Sequence, residues 1–142
     1  MMDLKEYAKN KLLCDRYTCV ICDGKNEILS RERGVSFLLS LYNNKADIKN
    51  YFVADKVVGK GAALLYVLLE IKDIYAHIIS KSALDVLKSH GIECTYNVLV
   101  EHIINRAGDG ICPIESATID IDNPADAPSV ITTTLEKLKN AK

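Results

Sequence analysis

The sequence contains no tryptophan and few prolines and glycines, and the scarcity of proline and glycine excludes two classes of protein. Three prolines and seven glycines in 142 residues are too few for a fibre or for a disordered, low-complexity chain. The five cysteines are an odd number, and the N-terminus "MMDLKEYAKNKLL" lacks the uninterrupted apolar region of a signal peptide. We therefore expect reduced thiols in the cytoplasm rather than a disulfide framework.

Long apolar runs and an excess of one charge are also missing. The longest apolar run, Ala62 to Leu69, is far shorter than a bilayer span and is closed by Glu70. The formal net charge is -1, so the chain has no general attraction for nucleic acid or for an anionic membrane. We expect neither a membrane nor a nucleic acid as partner.

What remains is the composition of one globular domain. Hydrophobic residues make up 49% of the chain and charged residues 26%, enough for a core that needs no disulfide or metal. No repeat, linker or low-complexity segment divides the sequence. Residues 1–142 are therefore predicted to form a single domain.

Strand and helix patterns alternate along most of the chain. Residues 3–13 show helical spacing, a turn at 24–26 separates two short strands, and helices and strands then follow one another as far as "IECTY". This order predicts a three-layer α/β/α fold around a mixed, mostly parallel sheet of about five strands. The helix after "FVADKVV" has no polar side, so we expect it to be buried.

Helix start and stop signals are frequent in the second half of the chain. Ser82 with Asp85 three residues later predicts a capping box, and Gly91 predicts the end of the same helix. Asn97 is predicted to cap a helix over "VLVEHIINR", and "AGDGICPIESA" is predicted to be a loop. The segment "NPADAPSVITTTLEKLKN" predicts a weak last helix with Asn123 as its cap.

The turn Gly59-Lys60-Gly61 stands between the strand "FVADKVV" and the buried helix. A phosphate-binding P-loop needs glycine five residues before the Gly-Lys pair and a hydroxyl residue after the lysine, but this chain has Ala54 and Gly61 there. A nucleoside triphosphatase is therefore not expected. Two interpretations remain. The N–H groups of the helix start, with Lys56 or Lys60 nearby, favour a bound anion, or the glycines only allow a tight turn into a packed helix.

No metal or cofactor site is predicted. Cys19 and Cys22 stand three residues apart on a strand, so their side chains project from opposite faces and cannot readily share one ion. We expect both to pack as small apolar side chains. The three histidines have no carboxylate or thiol at ligand spacing.

Two further segments carry side chains suited to binding or catalysis. In "NRAGDGICPIES", residues 105–116, Arg106 can hold a carboxylate or phosphate, and Asp109 can accept hydrogen bonds. Cys112 is a nucleophile if its thiolate is stabilised. A second segment follows a strand and opens a helix with Ser80, Lys81 and Ser82. Each segment also has a purely structural interpretation, as a closing loop or as a helix cap.

Four segments together resemble the small DUF1893 family of prokaryotic proteins, which has been grouped with the cytidine-deaminase-like fold. They are "ADKVVGKGAALLYVL", "ISKSALDVLKSHGI", "INRAGDGICPIE" and "DIDNP", and this resemblance covers essentially the whole chain. In true deaminases a His-x-Glu motif opens one buried helix and a Pro-Cys-x-x-Cys motif opens the next, and three of these side chains bind zinc. By position, "KVVGKGAAL" and "SKSALDVL" stand there instead and contain none of the ligands, so zinc is not expected.

The resemblance implies a crevice between two helix starts that tolerates an anion. The leading hypothesis is a zinc-less deaminase-like domain that binds a small anionic ligand, such as a nucleotide or related metabolite. The candidate ligand-binding residues are Lys56, Gly59, Lys60, Gly61, Ser80, Lys81, Ser82 and Arg106, and the candidate catalytic residues are Asp55, Asp109 and Cys112. One alternative is an enzyme that forms a covalent intermediate on Cys112 with Asp109 or Glu115 assisting. Another is a non-catalytic module that self-associates through its first helix and its tail.

Overall fold

A computed structural model describes residues 3–140, which form helices, strands and one 3₁₀ turn. The helices are α1 Leu4–Cys14, α2 Ser36–Asn43, α3 Lys60–Leu68, α4 Lys81–Ser89, α5 Pro113–Thr118 and α6 Ala127–Asn140. The strands are β1 Cys19–Cys22, β2 Glu27–Ser30, β3 Phe52–Val58, β4 Asp73–Ser80 and β5 Glu93–Val100, and the 3₁₀ turn is Pro124–Asp126. Within residues 3–140, every helix is too short or too polar to cross a lipid bilayer.

The strands form one sheet in the order β2-β1-β3-β4-β5. β1 runs antiparallel to both of its neighbours, whereas β3, β4 and β5 run parallel to one another. The two parallel pairs are connected through α3 and α4, as parallel neighbours require. The mixed five-stranded sheet with helices, predicted from the alternation of elements, is confirmed.

Helices lie on both faces of this sheet. α1 covers one face, where its Ala8 and Leu12 are buried against apolar side chains of β1 and β3. The larger core lies on the other face, under α2, α3, α4 and α6. Cys19 belongs to the larger core and Cys22 to the smaller one. The two thiols therefore point to opposite faces and pack as apolar groups, as predicted.

α3 is the central helix of the larger core. Its residues from Lys60 to Tyr66 are all buried, as expected for a helix without a polar side. It begins directly after β3, with Gly59 as its N-cap, and α4 begins in the same way directly after β4. Because β3 and β4 are parallel neighbours, the two helix starts lie side by side at the carboxyl edge of the sheet.

Residues 97–106 do not form the predicted helix. β5 continues through Asn97 to Val100, because its main chain pairs with β4 as far as Ser80. Beyond β5 the chain is irregular, apart from a bridge between Ile104 and Ile111. Local helix propensity is a weak preference that tertiary contacts can override. Here the main-chain pairing with β4 is stronger than the helix signal at Asn97.

The start of α4 also differs from the prediction. Its N-cap is Ser80, whose Oγ accepts a hydrogen bond from the main-chain N of Ala83 at 3.3 Å. The capping box predicted at Ser82 and Asp85 is therefore wrong. The hydroxyl of Ser82 has another partner in the site described below.

The segment predicted as a loop, residues 107–117, contains the start of α5. Pro113 occupies its first turn, where the missing N–H of proline costs nothing. Of two other terminal signals, the stop at Gly91 is confirmed, whereas Asn123 caps a 3₁₀ turn and α6 itself begins at Ala127. Gly91 has a φ of 73° just after α4, and the side chain of Asn123 accepts from the main-chain N of Ala125 at 3.1 Å to open the 3₁₀ turn before α6.

Candidate functional site

The carboxylate of Glu115, on α5, lies between the first turns of α3 and α4, and the residue is only 1% exposed. Oε1 accepts hydrogen bonds from the main-chain N of Lys60 at 3.0 Å, Oγ of Ser80 at 2.5 Å and Oγ of Ser82 at 3.2 Å. Oε2 accepts from the main-chain N of Ile103. We call this group of five residues the Glu115 cluster. Its buried carboxylate is bound by two main-chain N–H groups and two hydroxyls.

The Glu115 cluster contains no ion pair. Within residues 3–140, no positively charged side chain lies within ion-pair distance of this carboxylate. Its surroundings are instead the starts of two helices, whose free N–H groups carry partial positive charge. A small anion binds at helix starts for the same reason. The position predicted to receive an external anion is thus occupied by a carboxylate of the same chain.

Lys60 directs its charge toward α5 rather than toward solvent. Its ammonium donates to the main-chain O of Ile119, directly after α5, at 2.5 Å, and the residue is 8% exposed. The main-chain N of Lys60 binds Glu115 in the first turn of the same helix. A single residue of α3 therefore holds α5 at both ends.

The two glycines beside Lys60 allow α5 to approach α3 closely. A Cβ atom on Gly61 would lie 2.6 Å from Cγ2 of Ile114, closer than two carbon atoms can pack. A Cβ on Gly59 would lie 3.2 Å from Cγ1 of Ile103 and 3.4 Å from Oε1 of Glu115. This close approach supports the packing interpretation of both glycines.

Gly61→Ala is expected to lower the free energy of unfolding by about 1 to 3 kcal/mol, because the added methyl overlaps Ile114. Helix propensity alone predicts the opposite sign, a gain of up to about 1 kcal/mol for alanine over glycine inside a helix. Urea unfolding of the wild type and of Gly61→Ala shows whether the overlap or the helix propensity has the larger effect. In an Ile114→Ala background the overlap is gone, so Gly61→Ala should cost less there. Equal costs in the two backgrounds would contradict the overlap.

The exposed candidates lie on α4 and in the segment after β5. Lys81 pairs with Glu101 at 2.5 Å. Arg106 and Asp109 are exposed in a turn that the side chain of Asn105 organises. Asn105 accepts from two main-chain N–H groups of the turn and donates to Oδ1 of Asp109 at 2.9 Å. The carboxylate of Asp109 therefore helps to hold this turn together.

Cys112 is half-buried and directly precedes α5. Its main-chain N donates to the O of Ile103 at 2.8 Å, and its main-chain O accepts from the N of Ser116 at 2.9 Å. The carboxylates proposed to assist its thiol have other partners, since Asp109 binds Asn105 and Glu115 binds the two helix starts. The hydrogen bonds thus do not join these three side chains into one group.

Asp55 lies in a second buried polar group, under α3. Its Oδ2 accepts from the hydroxyl of Tyr66 at 2.5 Å, and that hydroxyl lies 3.5 Å from Sγ of Cys19. Its Oδ1 accepts from the main-chain N of Val57 at 3.3 Å. None of these hydrogen bonds reaches the Glu115 cluster. Asp55 is therefore a core residue, whereas the neighbouring Lys56 is half-buried.

Burial raises the pKa of Asp55 to about 7. Hydrogen bonds from the hydroxyl of Tyr66 and from the main chain of Val57 and Lys56 oppose this rise without cancelling it. Burial and the nearby charge of Asp55 also hold the pKa values of Cys19 and Tyr66 well above their ordinary values. Asp55 consequently titrates near neutral pH inside the core.

Sequence reasoning missed Tyr66 and assigned Glu115 only an auxiliary role. Pro113 with an acidic residue two positions later is a helix-start signal that could have placed Glu115 in a first turn. No local signal pointed to Tyr66, because its pairing with Asp55 depends on how α3 packs on β3. Within residues 3–140, no three His, Cys, Asp or Glu side chains gather closely enough to hold a metal ion.

Comparison with known proteins gives one family and one fold. The family model TM1506, "Domain of unknown function (DUF1893)", matches residues 7–135. No curated protein matches the sequence. The crystal structure of a DUF1893 family protein (TM1506) from Thermotoga maritima is similar, with a TM-score of 0.84 and 21% identity over 94% of this chain and 92% of that chain. At this identity the likeness shows the fold alone.

Proposed function

Because the chain belongs to the DUF1893 family, a domain of unknown function, we propose a function from its own site. The domain binds a small anionic ligand, such as a nucleotide or a related metabolite, at the starts of α3 and α4. The observation that supports this proposal most is the Glu115 cluster, where four donors already hold a carboxylate. A ligand carboxylate or phosphate presents similar oxygens to the same donors.

In this proposal Glu115 is an internal competitor of the ligand. The ligand binds when α5 withdraws the carboxylate, and exposed Lys81 and Arg106 supply positive charge to the part of the ligand outside the crevice. The competitor lowers the apparent affinity by the fraction of molecules in which the crevice is open. A wild-type chain therefore binds more weakly than one from which the internal carboxylate has been removed.

The strand order supports the further proposal of a cytidine-deaminase-like topology. β1 is antiparallel to its neighbours, and α3 and α4 begin at the carboxyl ends of adjacent parallel strands, where that fold keeps its two zinc motifs. Residues 59–61 and 80–82 occupy these places without a zinc ligand among them. We propose that the crevice at the starts of α3 and α4 is kept. In it, hydrogen-bond donors for an anion take the place of the zinc ligands.

Glu115→Ala is expected to bind small anions that the wild type binds weakly. Formate, acetate and phosphate fit the vacated position, because its four donors have lost their acceptor. An anion present at about 100 times its Kd adds about 2.7 kcal/mol to the free energy of unfolding. Thermal unfolding of the variant with each anion, and then with a panel of nucleotides, measures the effect against potassium chloride at the same ionic strength.

Glu136→Ala is the matched control, since it removes an exposed glutamate from α6. This variant should respond to the anions no more than the wild type does. If Glu115→Ala does not fold in buffer alone, the anions should restore its circular dichroism spectrum. A variant that responds to none of them beyond the chloride effect would show that the Glu115 cluster serves the fold only.

A further inference from the structure

β5 is a sheet edge without the usual protection. Within residues 3–140 it pairs with β4 alone, so the other side of its main chain has no strand partner. It is eight residues long, and after Glu93 it contains neither a charged residue nor a proline. Natural edge strands are usually short, bulged, or interrupted by lysine or proline, because a free edge invites another strand.

The opposite edge of the sheet shows such protection. β2 has four residues, and Glu27 at its start forms an ion pair with Lys11 of α1 at 3.5 Å. β5 instead exposes three large apolar side chains, Tyr96 by 43%, Val98 by 42% and Leu99 by 37%. Apolar side chains on a free, uncharged edge are typical of a surface that adds a strand from a partner.

We propose that β5 pairs with β5 of a second copy of this chain, antiparallel about a two-fold axis at Asn97. The two five-stranded sheets then form one continuous sheet. A two-fold axis perpendicular to an antiparallel pair places one residue opposite its own copy. With Asn97 in that position, Tyr96 faces Val98 and Thr95 faces Leu99. Aromatic and β-branched residues are favourable partners across strands.

The charges at the two ends of β5 are compatible with a second copy only because Lys81 lies beside them, since two carboxylates that face each other across strands repel. Glu93 forms no ion pair within residues 3–140. In the two-fold arrangement it lies opposite Glu101 of the other copy, whose carboxylate binds Lys81 at 2.5 Å. The ammonium of Lys81 then lies beside two carboxylates of opposite copies and can bridge them. One chain therefore supplies both the unpaired Glu93 and the Lys81–Glu101 ion pair that meets it in the other copy.

Sedimentation equilibrium across a wide concentration series tests the proposal. The wild type is expected to reach twice the mass of the chain. Val98→Lys should weaken this association by at least about a hundredfold, because a charged side chain replaces the apolar partner of Tyr96 and the two lysines lie diagonally across the axis. The matched control is Leu138→Lys, which changes a residue on α6 that is 38% exposed and should leave the association unchanged. A wild type that stays monomeric would overturn the proposal and would leave a foreign strand as the partner of β5. A Val98→Lys protein that dimerises as tightly as the wild type would also overturn it.

A cross-link tests the position of the axis. Residues that face their own copy in an antiparallel pair have Cα atoms about 4.5 to 5.5 Å apart, within reach of a disulfide. Asn97→Cys, made in a Cys14→Ser background to remove an exposed thiol, should form a disulfide-linked dimer under mild oxidation. Glu136→Cys in the same background should not. A dimer that Asn97→Cys fails to cross-link would overturn the axis at Asn97.

Discussion

Glu115→Ala is expected to lower the free energy of unfolding by about 3 to 5 kcal/mol, because several donors lose their acceptor at once, and this is a large part of the stability of a domain of this size. The substitution removes the acceptor of four hydrogen bonds at once. It leaves the N–H of Lys60 and the hydroxyl of Ser80, which are buried, and the N–H of Ile103 and the hydroxyl of Ser82, which are partly buried, without that partner. Urea unfolding in a buffer without carboxylate or phosphate measures the loss.

Two comparisons separate this loss from a general effect of losing a glutamate. Glu136→Ala removes an exposed glutamate and should change the free energy of unfolding by less than about 0.5 kcal/mol. Ser80→Ala should cost less in the Glu115→Ala background than in the wild type, since the hydrogen bond between the two side chains is already gone. Strictly additive costs would mean that Ser80 and Glu115 do not interact as described.

The contribution of Asp55 to stability is expected to fall by about 4 kcal/mol as pH rises from below the unfolded pKa of about 4 to above the folded pKa of about 7, since each unit of pKa shift is worth about 1.36 kcal/mol. Burial raises the pKa of Asp55, so the folded chain holds its proton to higher pH than the unfolded chain does. Between the unfolded and the folded pKa, the folded chain keeps this proton and the unfolded chain has released it. A rise in pH therefore favours the unfolded chain. The loss is complete once pH passes the folded pKa of about 7.

Asp55→Asn removes this titration while keeping a polar side chain beside Tyr66, whose hydroxyl can accept from the new amide and still donate to Cys19. The advantage of the variant over the wild type should grow by about 3 kcal/mol between about pH 5 and about pH 8. Asp120→Asn, an exposed control, should show no such growth. An advantage that stays constant with pH would mean that Asp55 is ionised in the folded protein throughout.

α3 illustrates what the sequence predicts well. Its lack of a polar side is a local property, and a helix of this kind has to be buried wherever it lies. The same holds for the stop at Gly91 and for the opposite faces of Cys19 and Cys22, which depend only on backbone geometry over a few residues. These predictions are confirmed because each rests on neighbours in the chain, and the mixed five-stranded sheet is confirmed because strands and helices alternate along the sequence.

Residues 97–118 illustrate the opposite case. The apolar residues after Asn97 fit a helix or a strand, and pairing with β4 decides between them. The role of Glu115 depends on partners 55, 35 and 33 residues earlier in the chain. No pattern within a window of ordinary length contains such information. The sequence therefore predicted where the two helices begin, whereas it did not predict that the carboxylate of Glu115 lies between their starts.

The two contacts of Lys60 with α5 span 55 and 59 residues of sequence. Contacts this distant form late in folding, because the long intervening loop has to close before they can stabilise anything. The strand pairing of the sheet does not include α5, so the withdrawal of this helix that the proposed function requires leaves the strands paired. That withdrawal would uncover the N–H of Lys60. In the proposed function, the last step of folding and the first step of ligand entry are therefore the same motion in opposite directions.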